Sequence, residues 1–242
     1  MTGRLRVAVE GLSAGELTLP DAASRYVARV HRARVGDRLE LFDPARGERA
    51  EAEVVALGRA VRCLVQAVER APDVGALPVR LALALGKGDK PEQGVRDATA
   101  LGVREVVLLT SARVQGARRG PERLERLRAV AASAARQSGR ATIPSISGPL
   151  ALERWATEAP ASTLLLDPRG EASLLGALKQ LAPVDGALVT LLIGPEGGFS
   201  DDERARLVQA GAHPVRLGAH VLRTETAVTA ALGAVAAYFG AL

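Results

Sequence analysis

The first 70 residues alternate short apolar segments with turn residues, a pattern that predicts β-strands. A single helical segment interrupts these strands. It begins at Pro20, a residue favoured in the first turn of a helix, and its apolar positions recur with helical spacing up to His31. We therefore expect a small β-barrel with one helix over residues 1–72. The predicted strands are 5–9, 16–19, 38–42, 50–57 and 61–68.

After residue 79 the pattern changes to apolar strands separated by amphipathic helices. This alternation predicts a parallel sheet covered by helices on both faces, and hence an α/β domain over residues 73–242. The last apolar segment, 227–242, is 16 residues long. A membrane-spanning helix needs roughly 20 residues, so we interpret this segment as a buried helix. The predicted strands are 79–85, 106–109, 163–166, 188–193 and 215–217, and the predicted helices are 92–101, 121–137, 172–181, 200–210 and 227–242.

Composition indicates a folded protein of the cytoplasm. Hydrophobic residues make up 48% of the chain, enough for a substantial core. Cys63 is the single cysteine, which excludes an intramolecular disulfide, and its place in a predicted strand favours an inert core residue. Residues 1–10 alternate arginine with apolar residues, whereas a signal peptide has an unbroken apolar segment.

The positive charge is concentrated in two arginine clusters. The net charge is +5, and residues 113–140 carry eight arginines against two acids. Such a cluster indicates either a nucleic-acid surface or a solvated helix face, and the sequence leaves both open. With Trp, Tyr and Phe together at 2%, stacking on bases has few candidates, so phosphate and shape would dominate RNA binding. The second cluster consists of Arg25, Arg29, Arg32, Arg34 and Arg38.

A glycine-rich loop follows the predicted strand 188–193. In an open α/β sheet, ligands bind beyond the carboxyl ends of the strands. Residues 194–198, GPEGG, allow the backbone to approach a ligand closely, and Glu196 is their only charge. Ser200 and Glu203 then form a predicted capping box that opens a helix. The alternative interpretation is a tight strand-to-helix turn.

Polar residues also cluster before the last helix, in the segment RTETA at 223–227. A helix cap explains one or two of these side chains but not a cation, two hydroxyls and a carboxylate together. By contrast, residues 86–91 lack the glycine pattern of a dinucleotide or phosphate loop, and we interpret them as an exposed basic loop. No histidine has neighbours at metal-ligand spacing, so no metal is expected.

The chain resembles the small-subunit ribosomal RNA uracil-N3 methyltransferases of the SPOUT superfamily. The resemblance rests on four segments and covers nearly the whole chain: LLIGPEGGFSDDE, LGAHVLRTETA, LALALGKGDKPEQ and AARQSGR. It implies an RNA-binding PUA-like barrel followed by an α/β domain with a deep trefoil knot that holds S-adenosylmethionine. It further implies a homodimer that acts on 16S ribosomal RNA or on the assembled small ribosomal subunit.

The resemblance also implies roles for individual residues. Arg223 stabilises charge on the uracil carbonyls, and either Glu196 or Glu225 accepts the N3 proton or positions Arg223. The implied cofactor-binding residues are Leu166, Gly194, Pro195, Glu196, Gly197, Leu217, Gly218, Leu222, Arg223 and Thr224. The candidate RNA-binding residues are Arg25, Arg29, Arg32, Lys87, Arg113, Arg118, Arg119, Arg123, Arg136 and Arg140.

Four positions depart from the family pattern: Asp97, Ala100, Arg136 and His220. The cofactor loops are nearly intact, so the departures concern the geometry of the substrate. The alternative function is a non-catalytic RNA-binding or ribosome-assembly factor that retains the fold. The presence of both GPEGG and RTETA favours the enzyme, because a binding module has no need of a cofactor loop.

Overall fold

The computed structural model describes residues 5–71, 76–86, 90–113, 121–140, 142–181 and 188–241. The chain forms two compact units, Met1–Val74 with Ala135–Ile143, and Gly75–Ala134 with Pro144–Leu242. The predicted domain boundary at 72–73 lies outside the described residues, as do the candidate RNA-binding residues Lys87, Arg118 and Arg119.

The amino-terminal unit is built on a six-stranded sheet. Its order is β1-β3-β4-β5-β2, with β6 paired to β4, and all pairings are antiparallel except the parallel β1–β3 pair. Helix α1 continues as a π-helical turn over Tyr26–Val30. The five predicted strands and the helix are confirmed, and β6 is an addition. The elements are β1 Leu5–Ala8, β2 Gly15–Thr18, α1 Asp21–Arg25, β3 Arg38–Asp43, β4 Glu48–Leu57, β5 Val61–Val65 and β6 Glu69–Arg70.

Alternation of side chains along the strands builds the core of this unit. In β5, Val61, Cys63 and Val65 are buried while Arg62 and Leu64 are exposed, as a strand with one solvated face requires. Cys63 is fully buried, and this burial raises the pKa of its thiol to about 11. The interpretation of Cys63 as an inert core residue is therefore confirmed.

The second unit is built on a seven-stranded parallel sheet of order β11-β13-β10-β12-β7-β8-β9. The parallel α/β sheet predicted from the sequence is confirmed. The strands are β7 Val79–Ala84, β8 Glu105–Thr110, β9 Ser145–Ala151, β10 Thr163–Leu166, β11 Ala172–Ser173, β12 Val189–Ile193 and β13 His213–Arg216. The helices are α2 Lys90–Ala100, α3 Pro121–Ser138, α4 Leu152–Thr157, α5 Leu174–Leu181, α6 Asp201–Gln209 and α7 Thr224–Tyr238.

Differences from the predicted elements have local causes. Strand β9, SISGPLA, was not predicted because serine, glycine and proline interrupt its apolar pattern, and α4 follows it directly. The predicted helix 172–181 begins only at Leu174, since Ala172 and Ser173 pair with β13. Helix α7 begins at Thr224, three residues before the predicted start, so Arg223 of RTETA precedes the helix and the other polar residues of the segment belong to its first turn.

The strand order brings three loops together. Strand β12 lies at the centre of the sheet with all five residues buried, and β10 lies between β12 and β13. Because all three are parallel, their carboxyl ends lie at one edge of the sheet. The loops after β10, β12 and β13 therefore adjoin at that edge, which is where a ligand site is expected.

Helix α7 covers this sheet with one face. Its buried residues are Thr224, Val228, Ala231, Leu232, Val235 and Ala236. It packs against α2, where the hydroxyl of Thr229 donates a hydrogen bond to Asp97 at 2.8 Å. Asp97, one of the departures from the family pattern, thus links the two helices. Across the described residues, no helix is both long and apolar enough to span a membrane.

Candidate active site

A cleft of about 520 Å³ opens at the carboxyl ends of β10, β12 and β13. Its volume is in the range of small-molecule sites, and both apolar side chains and polar groups line it. Nine of the ten predicted cofactor-binding residues lie on its wall: Leu166, Gly194, Pro195, Glu196, Gly197, Leu217, Gly218, Leu222 and Thr224. Arg223 is the tenth, and it does not line the cleft.

Each glycine of the loop 194–198 has its own structural reason. A Cβ at Gly194 would lie 3.1 Å from the Phe199 ring, which is tighter than an ordinary contact. Gly198 has a φ of +63°, where other residues are strained, and its N–H donates to the Pro195 carbonyl at 2.8 Å to close a turn. A Cβ at Gly197 would meet only the Arg113 side chain, at 3.8 Å, so no packing within the described residues requires this glycine. Gly197 lines the cleft, and the space beside its Cα is free of other protein atoms of the described residues apart from the Arg113 side chain.

Side chains from three other segments hold this loop. The Thr224 hydroxyl donates to the Gly194 carbonyl at 3.1 Å, and Arg113 Nη1 donates to the Gly197 carbonyl at 2.6 Å. Lys90 Nζ lies 2.8 Å from Glu196 Oε1. The first contact comes from the start of α7, the second from the segment after β8 and the third from the start of α2. Two of these contacts reach backbone carbonyls of the loop, and the third reaches the Glu196 carboxylate.

The predicted capping box is confirmed and has a further role. Ser200 accepts from the Glu203 N–H at 3.1 Å, and Glu203 Oε2 accepts from the Ser200 N–H at 2.8 Å. Glu203 is buried, and its Oε1 accepts from the Ala112 N–H at 2.7 Å. One carboxylate therefore joins the start of α6 to the segment that carries Arg113. No sequence pattern predicted this link, because Glu203 and Ala112 are 91 positions apart.

Asp167 is a functional candidate that the sequence analysis missed. It follows β10 directly, lies on the cleft wall and is buried. It accepts hydrogen bonds from Arg169 and Arg204, and Arg169 Nη1 also donates to Asp201 at 2.8 Å. Burial alone would raise the pKa of Asp167, but the hydrogen bonds from the Arg169 backbone and from the Arg204 and Arg169 side chains hold its pKa below the ordinary value. The sequence feature that could have identified Asp167 is its position as a carboxylate directly after the predicted strand 163–166.

The three predicted catalytic residues occupy different environments. Glu196 lies on the cleft wall. Arg223 is exposed beside it, as the residue that precedes the first turn of α7. Glu225 does not line the cleft, and its Oε2 is buried with no hydrogen-bond partner among the described residues. The structure therefore brings Glu196 to the cleft, whereas Glu225 lies in the first turn of α7 and outside the cleft wall.

The described candidate RNA-binding arginines are divided between the two units. Arg25, Arg29 and Arg32 are exposed on and just after α1. Arg113 lines the cleft, and Arg123 Nη2 donates to the Gly86 carbonyl at 3.4 Å. The remaining two belong to the amino-terminal unit: Arg136 stacks over the Tyr26 ring at 5.6 Å, and Arg140 donates to Thr142 at 3.0 Å.

The cleft offers backbone groups, apolar side chains and carboxylates, which suit an organic ligand. Within the parts of the chain that the structure describes, no group of three or more His, Cys, Asp or Glu residues is arranged to hold a metal ion.

Comparison with known proteins identifies the family. A family model described as RNA methyltransferase domain matches residues 75–236, and one described as RNA methyltransferase PUA domain matches residues 19–60. The ribosomal RNA small subunit methyltransferase E of Mycobacterium bovis is 37% identical over 90% of this chain and 88% of its own length.

Two solved structures share the fold over nearly the whole chain. One is the ribosomal RNA small subunit methyltransferase E of Neisseria gonorrhoeae bound to S-adenosyl methionine, with 26% identity, 98% coverage of both chains and a TM-score of 0.86. The other is a methyltransferase of Legionella pneumophila in complex with the cofactor SAM, with 27% identity, 98% coverage of both chains and a TM-score of 0.85. With its parallel α/β domain, its PUA domain and these relatives, the chain belongs to the family of RNA methyltransferases that includes ribosomal RNA small subunit methyltransferase E.

Proposed function

We propose that this protein transfers the methyl group of S-adenosylmethionine to N3 of a uridine in 16S ribosomal RNA of the small ribosomal subunit. The observation that carries the proposal is the cleft itself: nine residues assigned to the cofactor from sequence resemblance converge on one cavity. The relatives named for small-subunit ribosomal RNA methylation, and the two solved relatives that hold the cofactor, support the same assignment.

The glycine loop and the apolar wall would hold the cofactor. The open Cα of Gly197 and the turn at Gly198 let backbone groups contact a ligand at distances that a side chain would prevent. Leu166, Leu217 and Leu222 supply apolar contacts on the other strand ends. When bound, the cofactor supplies a methyl group that its sulfonium already activates, so the protein has mainly to align the two reactants and remove the N3 proton.

Glu196 is the best-supported proton acceptor. It lies on the cleft wall, whereas Glu225 does not line the cleft and its Oε2 is buried. The N3 proton passes to the Glu196 carboxylate, and the electron pair left on nitrogen forms the new bond to the methyl carbon as the carbon–sulfur bond breaks. Negative charge on the flanking uracil oxygens is stabilised by Arg223, whose exposure beside Leu222 and Thr224 makes it accessible to a bound nucleotide. Glu225, in the first turn of α7, then has the role of positioning Arg223.

Several further properties belong to the same proposal. Residues 1–72 form a PUA-like RNA-binding domain and residues 73–242 a methyltransferase domain of the SPOUT type, in which the chain forms a trefoil knot. The knot is what the resemblance of the GPEGG and RTETA segments to the SPOUT superfamily implies. The protein acts as a homodimer in the cytoplasm, where ribosomal subunits are assembled.

The test is a methylation assay with nucleoside analysis. Small-subunit RNA or subunits are incubated with the protein and S-adenosylmethionine, and the digested nucleosides are identified by mass spectrometry. We expect 3-methyluridine from the wild type and a rate about 100-fold lower from Glu196→Gln, since general base catalysis contributes at least that factor. Calorimetry should show that Glu196→Gln still binds the cofactor and that Gly197→Leu does not, with Gly197→Ala as the matched control. Cofactor binding without any methylated nucleoside would instead favour the non-catalytic alternative.

A further inference from the structure

The end of β7 adjoins the glycine loop on the side away from β10. Strands β7 and β12 are neighbours in register, with Leu83 paired to Ile193. The segments that follow them therefore leave the sheet side by side, and each carries one residue of interest. Gly86 lies two residues beyond β7, and Glu196 lies three residues beyond β12.

The Glu196 carboxylate rests against the bare Cα of Gly86. A Cβ built on Gly86 would lie 2.9 Å from Glu196 Oε2 and 3.1 Å from Oε1. The first distance is shorter than real Cβ contacts allow and the second is tighter than most of them, so any other residue at position 86 would displace the carboxylate. Gly86 is buried, and its carbonyl accepts a hydrogen bond from Arg123 at 3.4 Å, which holds its backbone. The atoms that would have to move are the end of the glutamate side chain, and the surrounding backbone could stay in place.

Lys90 holds the same carboxylate from the start of α2. Its Nζ lies 2.8 Å from Glu196 Oε1, and the two side chains are 37% and 32% exposed. A cation in the first turn of a helix opposes the helix dipole, and a partly exposed ion pair contributes little to stability. Helix stability therefore does not explain a lysine at this position, whereas the orientation of Glu196 does.

We infer that Gly86 and Lys90 are positioning residues that hold the Glu196 carboxylate towards the target base, where the segments after β7 and β12 leave the sheet side by side. The inference rests on the proposed function of Glu196. It extends the site to the segment after β7 and to the start of α2, which carry none of the predicted cofactor-binding residues.

Two variants separate positioning from mere folding. Gly86→Ala should lower kcat at least tenfold while leaving the affinity for S-adenosylmethionine and the melting temperature close to those of the wild type. Lys90→Gln should move the acidic limb of the kcat profile to higher pH, because loss of the cation makes the nearby carboxylate easier to protonate. Lys90→Arg keeps the charge and should keep the profile.

The matched controls lie away from the site. Gly58→Ala places a methyl group in a turn where the nearest atom is 4.0 Å away, and Lys179→Gln removes an exposed lysine of α5. Both should methylate RNA at the wild-type rate. Unchanged kcat in Gly86→Ala, or a lower kcat in Lys90→Gln with an unmoved acidic limb, would overturn the inference.

A direct titration keeps the inference separate from the proposed function. The midpoint of the Glu196 carboxyl titration, followed by carbon NMR on the cofactor-bound protein, should be higher in Lys90→Gln than in the wild type and Lys179→Gln. This result does not depend on turnover. If the midpoint rises but the wild type methylates no RNA, the proposed function fails and the positioning of Glu196 stands; if the wild type is active and the midpoint does not move, only the positioning fails.

Discussion

The hydroxyl of Thr224 donates a hydrogen bond to the backbone carbonyl of Gly194 across 30 positions of sequence. Thr224 is the first residue of α7 and is buried, and Gly194 is the first residue after β12. The contact therefore ties the start of the last helix to the start of the glycine loop. Both residues line the cleft, so this hydrogen bond lies in the wall that would contact the cofactor.

Replacing Thr224 with valine should weaken cofactor binding. Valine keeps the shape of threonine but leaves the Gly194 carbonyl without this donor, and such a loss costs about 1–3 kcal/mol in a buried place. We expect the affinity for S-adenosylmethionine, measured by calorimetry, to fall about tenfold. Thr224→Ser retains the hydroxyl and should bind nearly as well as the wild type. If Thr224→Val and the wild type bind S-adenosylmethionine with equal affinity, the loop does not need this hydrogen bond.

Asp167 should make the stability of the protein depend on pH. Its pKa is held below the ordinary value in the folded protein by Arg169 and Arg204, so it favours folding when ionised. This contribution is complete above the unfolded-state pKa, about 3.9, and is lost as the pH falls towards the lower folded-state pKa. In urea unfolding, Asp167→Asn should be less stable than the wild type at pH 7, and the difference should shrink below about pH 4. A difference that stays constant down to pH 2.5 would contradict this role.

The parts of the site that the sequence predicted are local in the chain. The glycine loop and the Ser200–Glu203 capping box follow from residues within ten positions of each other, and their chemistry is independent of the rest of the fold. The position of Arg113 was not predictable in this way. Its arginine-rich neighbourhood indicated RNA, yet its guanidinium reaches Gly197, 84 positions away.

Long-range pairings explain the other omissions. Asp167 accepts a hydrogen bond from Arg204, which is 37 positions away in the sequence. Lys90 forms an ion pair with Glu196 only because β7 and β12 are neighbours in the sheet. Such contacts depend on strand order, which hydrophobic periodicity does not encode. The same limit applies to Glu225, whose motif was recognised but whose absence from the cleft wall depends on the packing of α7.

The loop before α7 should contribute to the proposed homodimer. Val221 is 78% exposed and Leu222 is 38% exposed, and α7 itself carries apolar residues outside its buried face. Exposed apolar side chains next to each other favour an interface between copies. We expect a dimer mass by light scattering at micromolar concentration, and a shift to monomer in Val221→Glu. Val208→Glu, on the exposed side of α6, is the control and should remain dimeric. A monomeric wild type would rule out the homodimer.

The exposed arginines at α1 should bind RNA through phosphates. Arg25, Arg29 and Arg32 are all exposed and lie within eight positions, whereas each described candidate from the 113–140 cluster has a contact inside the protein. Each phosphate contact that is lost should reduce the slope of log affinity against log salt by about 0.7–0.9. Glutamine at all three positions should therefore weaken binding to small-subunit RNA, flatten its salt dependence by about two to three units, and leave the calorimetric affinity for S-adenosylmethionine unchanged. Arg154→Gln, an exposed arginine of α4, is the matched control. If the triple variant keeps the wild-type salt slope, the arginines at α1 are a solvated helix face and the phosphate contacts lie elsewhere on the protein.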